Sequence, residues 1–196
     1  ASKDDLPELS LVRLPHDHLG AFARSLDGVD TPDTQIADHD YALGMIVEAL
    51  SRSRFWDDTI VIAIEDDAQD GADHVDAHRS VIYFAGGHAA RAIVSHARYT
   101  TPSVLRTIEL LLGIPPLGRR DAVAPPIAEA LSATLDETPF VATVPDVLRS
   151  TKCPLPPMTT GQRVASPRGT VREWERATRG MNFDREDDLP AAAFNA

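Results

Sequence analysis

Cysteine is all but missing from this chain: Cys153 is the only one among 196 residues. That excludes an intrachain disulfide and any metal site built on thiolates. Long apolar runs are missing too, and nothing approaches the 18 or so consecutive apolar residues that span a bilayer. The opening Ala1-Ser2-Lys3-Asp4-Asp5 has neither the basic nor the apolar region of a secretory signal. Positive charge is scarce, because 19 Lys and Arg stand against 30 Asp and Glu and leave a net −11. A chain of that sign repels a phosphate backbone, which speaks against nucleic-acid binding through a broad basic face. What is present is a chain of one-domain length with 43% hydrophobic residues, enough to build a core.

The pattern along the chain predicts an α/β fold. Glu8 to Leu14 (ELSLVRL) alternates and then runs apolar, as a strand does, and stops at Pro15 before a polar loop, His16-Asp17-His18. Thr31 is set to cap a helix, with Pro32 at its first position and Asp33 in its first turn. Ile36, Leu43, Val47 and Leu50 fall on one face of that helix. Thr59 to Ile64 (TIVIAI) is a continuous β-branched run, the pattern of a strand buried on both faces, typically a parallel one. Ser80 to Ala85 (SVIYFA) repeats the pattern and ends at Gly86-Gly87. A second helix starts at Thr101-Pro102, directs Val104, Leu105, Ile108, Leu111 and Leu112 inward, and stops at Gly113. Beyond Gly118 prolines recur and only short helical stretches are expected, Ile127 to Leu131 and Val171 to Thr178. The expected organisation is therefore an α/β part over residues 1–118 and an irregular, Pro-rich tail over 119–196 that wraps it.

One segment carries chemistry. Between Glu65 and Asp76 stand six carboxylates and one histidine, with no Lys or Arg. Acids at the end of a buried strand need a partner, because an unpaired buried charge costs roughly several kcal/mol. A divalent cation satisfies two at once, and neighbouring histidines shift the choice from calcium toward zinc, manganese or iron. A solvated acidic loop is the plainer reading of the same run; its place at a strand end, where α/β sheets bind ligands, favours a site. Two specific motifs fail. An EF-hand with Gly71 in sixth place has Ala68 third and Ala77 twelfth. A zincin helix using His74 and His78 has Val75 where the base belongs.

Taken together, several stretches resemble bacterial phosphoesterases of the alkaline phosphatase superfamily, relatives of phospholipase C-type acid phosphatases and in particular those fused to a β-propeller. They are Ala37-Asp38-His39-Asp40-Tyr41-Ala42-Leu43-Gly44-Met45-Ile46-Val47-Glu48-Ala49-Leu50, Phe55-Trp56-Asp57-Asp58-Thr59, Glu65-Asp66-Asp67-Ala68-Gln69-Asp70-Gly71, and Asp73-His74-Val75-Asp76-Ala77-His78-Arg79-Ser80. Ser103-Val104-Leu105-Arg106-Thr107-Ile108-Glu109 and Gly113-Ile114-Pro115-Pro116 continue the likeness, and Met181-Asn182-Phe183-Asp184 resembles the family's C-terminus. It is dense from Leu11 to Leu117 and thinner afterwards.

The resemblance implies an alkaline phosphatase-like sheet and metal-dependent hydrolysis of phosphate esters. It implies Asp66 and Asp67 as the metal-ligand pair, His78 as a ligand or phosphate contact, and Asp17 and His18 as further ligands or phosphate contacts. His74 ranks below His78. The implied cofactor is a divalent metal, zinc or manganese first, with calcium, magnesium or iron as alternatives. The chain departs from the family at His16 and His39, where Asn is usual, and at Leu19, where an apolar group replaces a threonine hydroxyl. His88 and His96 have no motif around them and read as loop histidines. The family's Ser or Thr nucleophile lies upstream of the strand that ELSLVRL resembles, so this chain is expected to be a C-terminal portion without it. The implied partners are a phosphate-ester substrate and an N-terminal polypeptide, and the implied location is periplasmic or secreted. The alternative is a non-catalytic fragment or subunit that completes a sheet with that polypeptide.

Overall fold

The computed structural model describes residues 5–14, 26–65 and 79–181. In chain order they form α1 (Pro32–Ser51), β1 (Ile60–Ile64), β2 (Ile82–Gly86), α2 (Thr101–Leu112), α3 (Arg119–Ala122) and α4 (Val171–Ala177), with 3₁₀ turns at Ala128–Ala130 and Asp146–Ser150. The arrangement is mixed α/β: among the described residues, four helices and one two-stranded antiparallel sheet. Contacts divide the chain into two units. One joins Ala1–Leu11, Leu50–Ile62 and Phe84–Pro139, the other Val12–Ala49, Ala63–Tyr83 and Phe140–Ala196.

α1 begins where its cap predicts. The Thr34 amide donates to the Thr31 hydroxyl at 3.4 Å, and the Thr31 amide donates to the Thr34 hydroxyl at 3.0 Å, so two first-turn donors are satisfied reciprocally. Its buried face differs from the expected one. Val47 is buried and Leu43 and Leu50 are half-buried, but Ile36 is 58% exposed. Ala37 takes the core position instead, beside Val144 and Leu148, with Tyr41, Val147 and Leu155 around them. The reason is close approach. Ala37 and Gly44 lie two turns apart on one face, and a methyl group added at Gly44 would stand 3.3 Å from Cβ of Ala142. The segment after Phe140 settles on these small residues, and its Ala142 amide donates to the Glu48 carboxylate at 2.8 Å. A pattern of large apolar residues does not register a face whose merit is being small.

The strand runs form as expected, but their pairing does not. β1 and β2 are antiparallel neighbours rather than parallel ones. Beyond the strand ends the Glu65 amide donates to the Val81 carbonyl at 3.4 Å, which sets Ile60 opposite Gly86. Ile60, Ile62, Ile64, Ile82 and Phe84 then share one face. Apolar composition records burial, not strand direction, and even the burial is partial: Ile60 to Ala63 are half-buried and Ile64 is exposed. Gly86 (φ 154°) and Gly87 are needed where β2 ends. A Cβ on the first would collide with the Thr59 carbonyl, and one on the second would sit 2.6 Å from the Leu135 side chain and 2.9 Å from the Trp56 carbonyl. Glu8 to Leu14, expected as a strand, forms none: it belongs to no described ladder, and Leu11 is 93% exposed. A lone alternating segment has no hydrogen-bonding neighbour to make it a strand.

α2 runs from Thr101 to a left-handed Gly113 (φ 68°). The Gly113 amide bonds the Leu110 carbonyl (3.3 Å) and the Ile114 amide bonds the Glu109 carbonyl (2.9 Å), a closed helix end. Val104 is buried as expected, and Ile108 and Leu112 are half-buried. Leu105 and Leu111, expected inside, are exposed, and polar Ser103, Thr107 and Glu109 are buried in their place. Each has partners there. The Thr107 hydroxyl donates to the Ser103 carbonyl (2.7 Å) and accepts from the Ile127 amide (2.9 Å). Glu109 is 0% exposed and accepts from the Leu117 amide (3.1 Å) and the Arg106 guanidinium (3.4 Å). Asp121, the third residue of α3, accepts from the Gly118 amide at 2.9 Å. Burial alone would raise the Asp121 carboxyl; the backbone amides that donate to it, Gly118 first, outweigh it and hold it below its ordinary value.

Removing the Glu109 carboxylate strands a guanidinium and an amide. Glu109→Ala is expected to lower stability by about 3 kcal/mol, read by urea unfolding followed through tryptophan fluorescence, and Glu109→Gln, which keeps an acceptor for Leu117, is expected to lose less.

Candidate functional site

Asp17, His18, Asp66, Asp67, His74 and His78 all lie outside the described residues. The structure therefore brings none of these candidates together and separates none. What it does describe is the frame at the two ends of the acidic segment. β1 ends at Ile64 and hands over to Glu65, the first of the carboxylates. On the returning side, the Ser80 hydroxyl reaches the Glu65 carbonyl (3.2 Å) and the Glu65 carboxylate (3.0 Å). With the Glu65 to Val81 backbone bond, these contacts hold residues 65 and 80 side by side. The acidic run thus leaves from, and returns to, the carboxyl end of one apolar strand.

Ser80 is the residue that the sequence reading undervalued. It only opens the Ser80 to Ala85 run there, and nothing in its neighbours marks it as the tie between residues 65 and 80. The signal available was the antiparallel register itself, which follows only once β1 and β2 are known to pair.

The remaining histidines fall as follows. Nδ1 of His88 lies 3.0 Å from the Ser132 carbonyl, a structural contact in a half-buried loop. His96 is exposed and His39 is half-buried on α1. Among the described residues no three His, Cys, Asp or Glu side chains converge on a point that would hold a metal ion. The donor set proposed from the sequence has three carboxylates (Asp17, Asp66, Asp67) and two imidazoles (His74, His78) and no thiolate. Such a mixed oxygen and nitrogen set fits zinc or manganese, whereas calcium and magnesium prefer oxygen alone.

Compared with models of protein families, with curated proteins and with solved structures, the chain matches none. Among the described residues no helix is long and apolar enough to cross a membrane.

Isothermal titration calorimetry of the chain with manganese or zinc is expected to give a saturable site, weakened at least about tenfold in Asp67→Ala and in His78→Ala. Titration curves that are the same for wild type and both variants would return the acidic run to a solvated loop.

Proposed function

We propose that this chain supplies part of the metal and phosphate site of a metal-dependent phosphoesterase with an alkaline phosphatase-like sheet, a phosphomonoesterase or phospholipase C-like hydrolase. The observation that carries the reading is the clamp at the end of β1. An apolar strand delivers Glu65 at its carboxyl end and Ser80 ties the returning chain to the same point; Asp66 and Asp67 follow Glu65 in the sequence. In this reading Asp66 and Asp67, with Asp17, His78 and more weakly His74, form the ligand set. A divalent cation bound there supplies positive charge against the non-bridging oxygens of a phosphate ester. His18, and His78 where it does not ligate, donate N–H groups to phosphate oxygens and so orient the ester. The nucleophile, a Ser or Thr hydroxyl, comes from polypeptide outside these 196 residues, attacks phosphorus and displaces the alcohol; water then releases phosphate.

The expected result with para-nitrophenyl phosphate and manganese or zinc is negligible turnover by this chain alone. Robust hydrolysis that Asp67→Ala abolishes would place the whole catalytic set within the chain and overturn the division of labour proposed.

A second reading is favoured by a different observation: the chain is a non-catalytic piece that completes a sheet with another polypeptide. Every residue of β1 is apolar, yet none is fully buried, and among the described residues it has a single neighbour strand. An apolar strand with an open edge invites a further strand. Light scattering after size exclusion separates the cases. Self-association or association with another polypeptide is expected under this reading, and a clean monomer at all concentrations argues against an obligate partner.

A further inference from the structure

The corner between α2 and α3 reverses the charge character of the chain. In a molecule of net −11, the carboxylates of this stretch, Glu109 and Asp121, are turned inside, at 0% and 5% exposure. Arg119 and Arg120 remain outside. Between them the apolar side chains project into water: Leu117 is 75% exposed and Val123 83%, and Leu110, Leu111 and Ile114 are also exposed. Among residues 109–124 the exposed side chains are therefore apolar or cationic, and none of them is an acid.

Many of the corner's backbone donors are satisfied within the chain. The Gly113 and Ile114 amides close the end of α2, Leu117 and Gly118 donate to the two buried carboxylates, and Ala122, Val123 and Ala124 donate to carbonyls of Gly118 and Asp121. Pro115, Pro116, Pro125 and Pro126 have no N–H to satisfy. Each donor satisfied in this way adds no cost on entering a medium without water.

We propose that the α2–α3 corner is a docking surface for an anionic lipid bilayer, on which Leu117 and Val123 enter the boundary of the acyl region and Arg119 and Arg120 hold lipid phosphates. This is the geometry of a segment that lies on a membrane rather than crossing it. The acidic remainder of the chain does not cancel the attraction. At physiological salt, charges more than about 8 Å from the surface are largely screened, so the bilayer responds to the two arginines nearest it. The inference stands apart from the phosphoesterase reading, because it uses none of the residues assigned to that site.

Cosedimentation of the 196-residue chain with vesicles of phosphatidylglycerol and phosphatidylcholine, and with vesicles of phosphatidylcholine alone, tests it without any hydrolysis assay. The chain is expected to sediment with the mixed vesicles and much less with the neutral ones. The double variant Arg119→Glu/Arg120→Glu is expected to reduce the bound fraction about tenfold, and Leu117→Ser/Val123→Ser by a similar factor. All four positions are exposed, so far-ultraviolet circular dichroism should be unchanged. No binding to the mixed vesicles, equal binding to both, or binding that neither double variant alters overturns the proposal. If vesicles are not bound while Leu117→Ser/Val123→Ser turns a dimer into a monomer in light scattering, the face belongs to a second copy of the chain and the proposal fails.

Discussion

A carboxylate with no access to water organises the unit that contains α2. Glu109 is carried inward by a helix whose leucines compete for the same space, and it holds that place through the Leu117 amide and the Arg106 guanidinium. Desolvating a carboxylate costs more than burying a leucine gains, so the arrangement is stable only when such partners are in position. They are in position because the chain turns sharply at Gly113 and passes back over the helix through Pro115 and Pro116. The turn, the buried acid and the short α3 therefore form one device. Its consequence on the outside is a rim of displaced leucines beside two arginines.

The other unit is organised by smallness rather than charge. Ala37 and Gly44 leave room on α1 for the segment beginning at Phe140, and Leu148 closes the core that results. A Pro-rich stretch makes few regular hydrogen bonds, so its order depends on side chains and caps. The Ala142 amide on Glu48 and the Lys152 amide on the Asp27 carbonyl (2.6 Å) are such ties. This is how a stretch with little regular secondary structure is held against a regular helix.

The sheet links fold to proposed chemistry. An apolar strand is a rigid way to deliver polar groups to one place, and β1 delivers Glu65 to the point where Ser80 returns. The Ser80 contacts hold the two described ends of that connection, residues 65 and 80, side by side. The antiparallel pairing therefore serves the proposed site as well as the parallel one anticipated from composition, because in either case the acids leave from the carboxyl end of the strand.

Local chemistry was legible in the sequence. Thr31 and Pro32 fixed the start of α1 and Gly113 the end of α2, since a cap acts within one turn of the residue that makes it. The β-branched runs fixed where β1 and β2 form, and the acid run with its histidines was visible without any structure. The tertiary structure alone decided which faces are buried, because that depends on which remote segment arrives: the stretch after Phe140 chose Ala37 over Ile36, and Leu117 and Ile127 drew Glu109 and Thr107 inward over Leu105 and Leu111. It also decided the direction of β2 and left Glu8 to Leu14 without a ladder, since strand pairing is a property of two segments and no single segment encodes it.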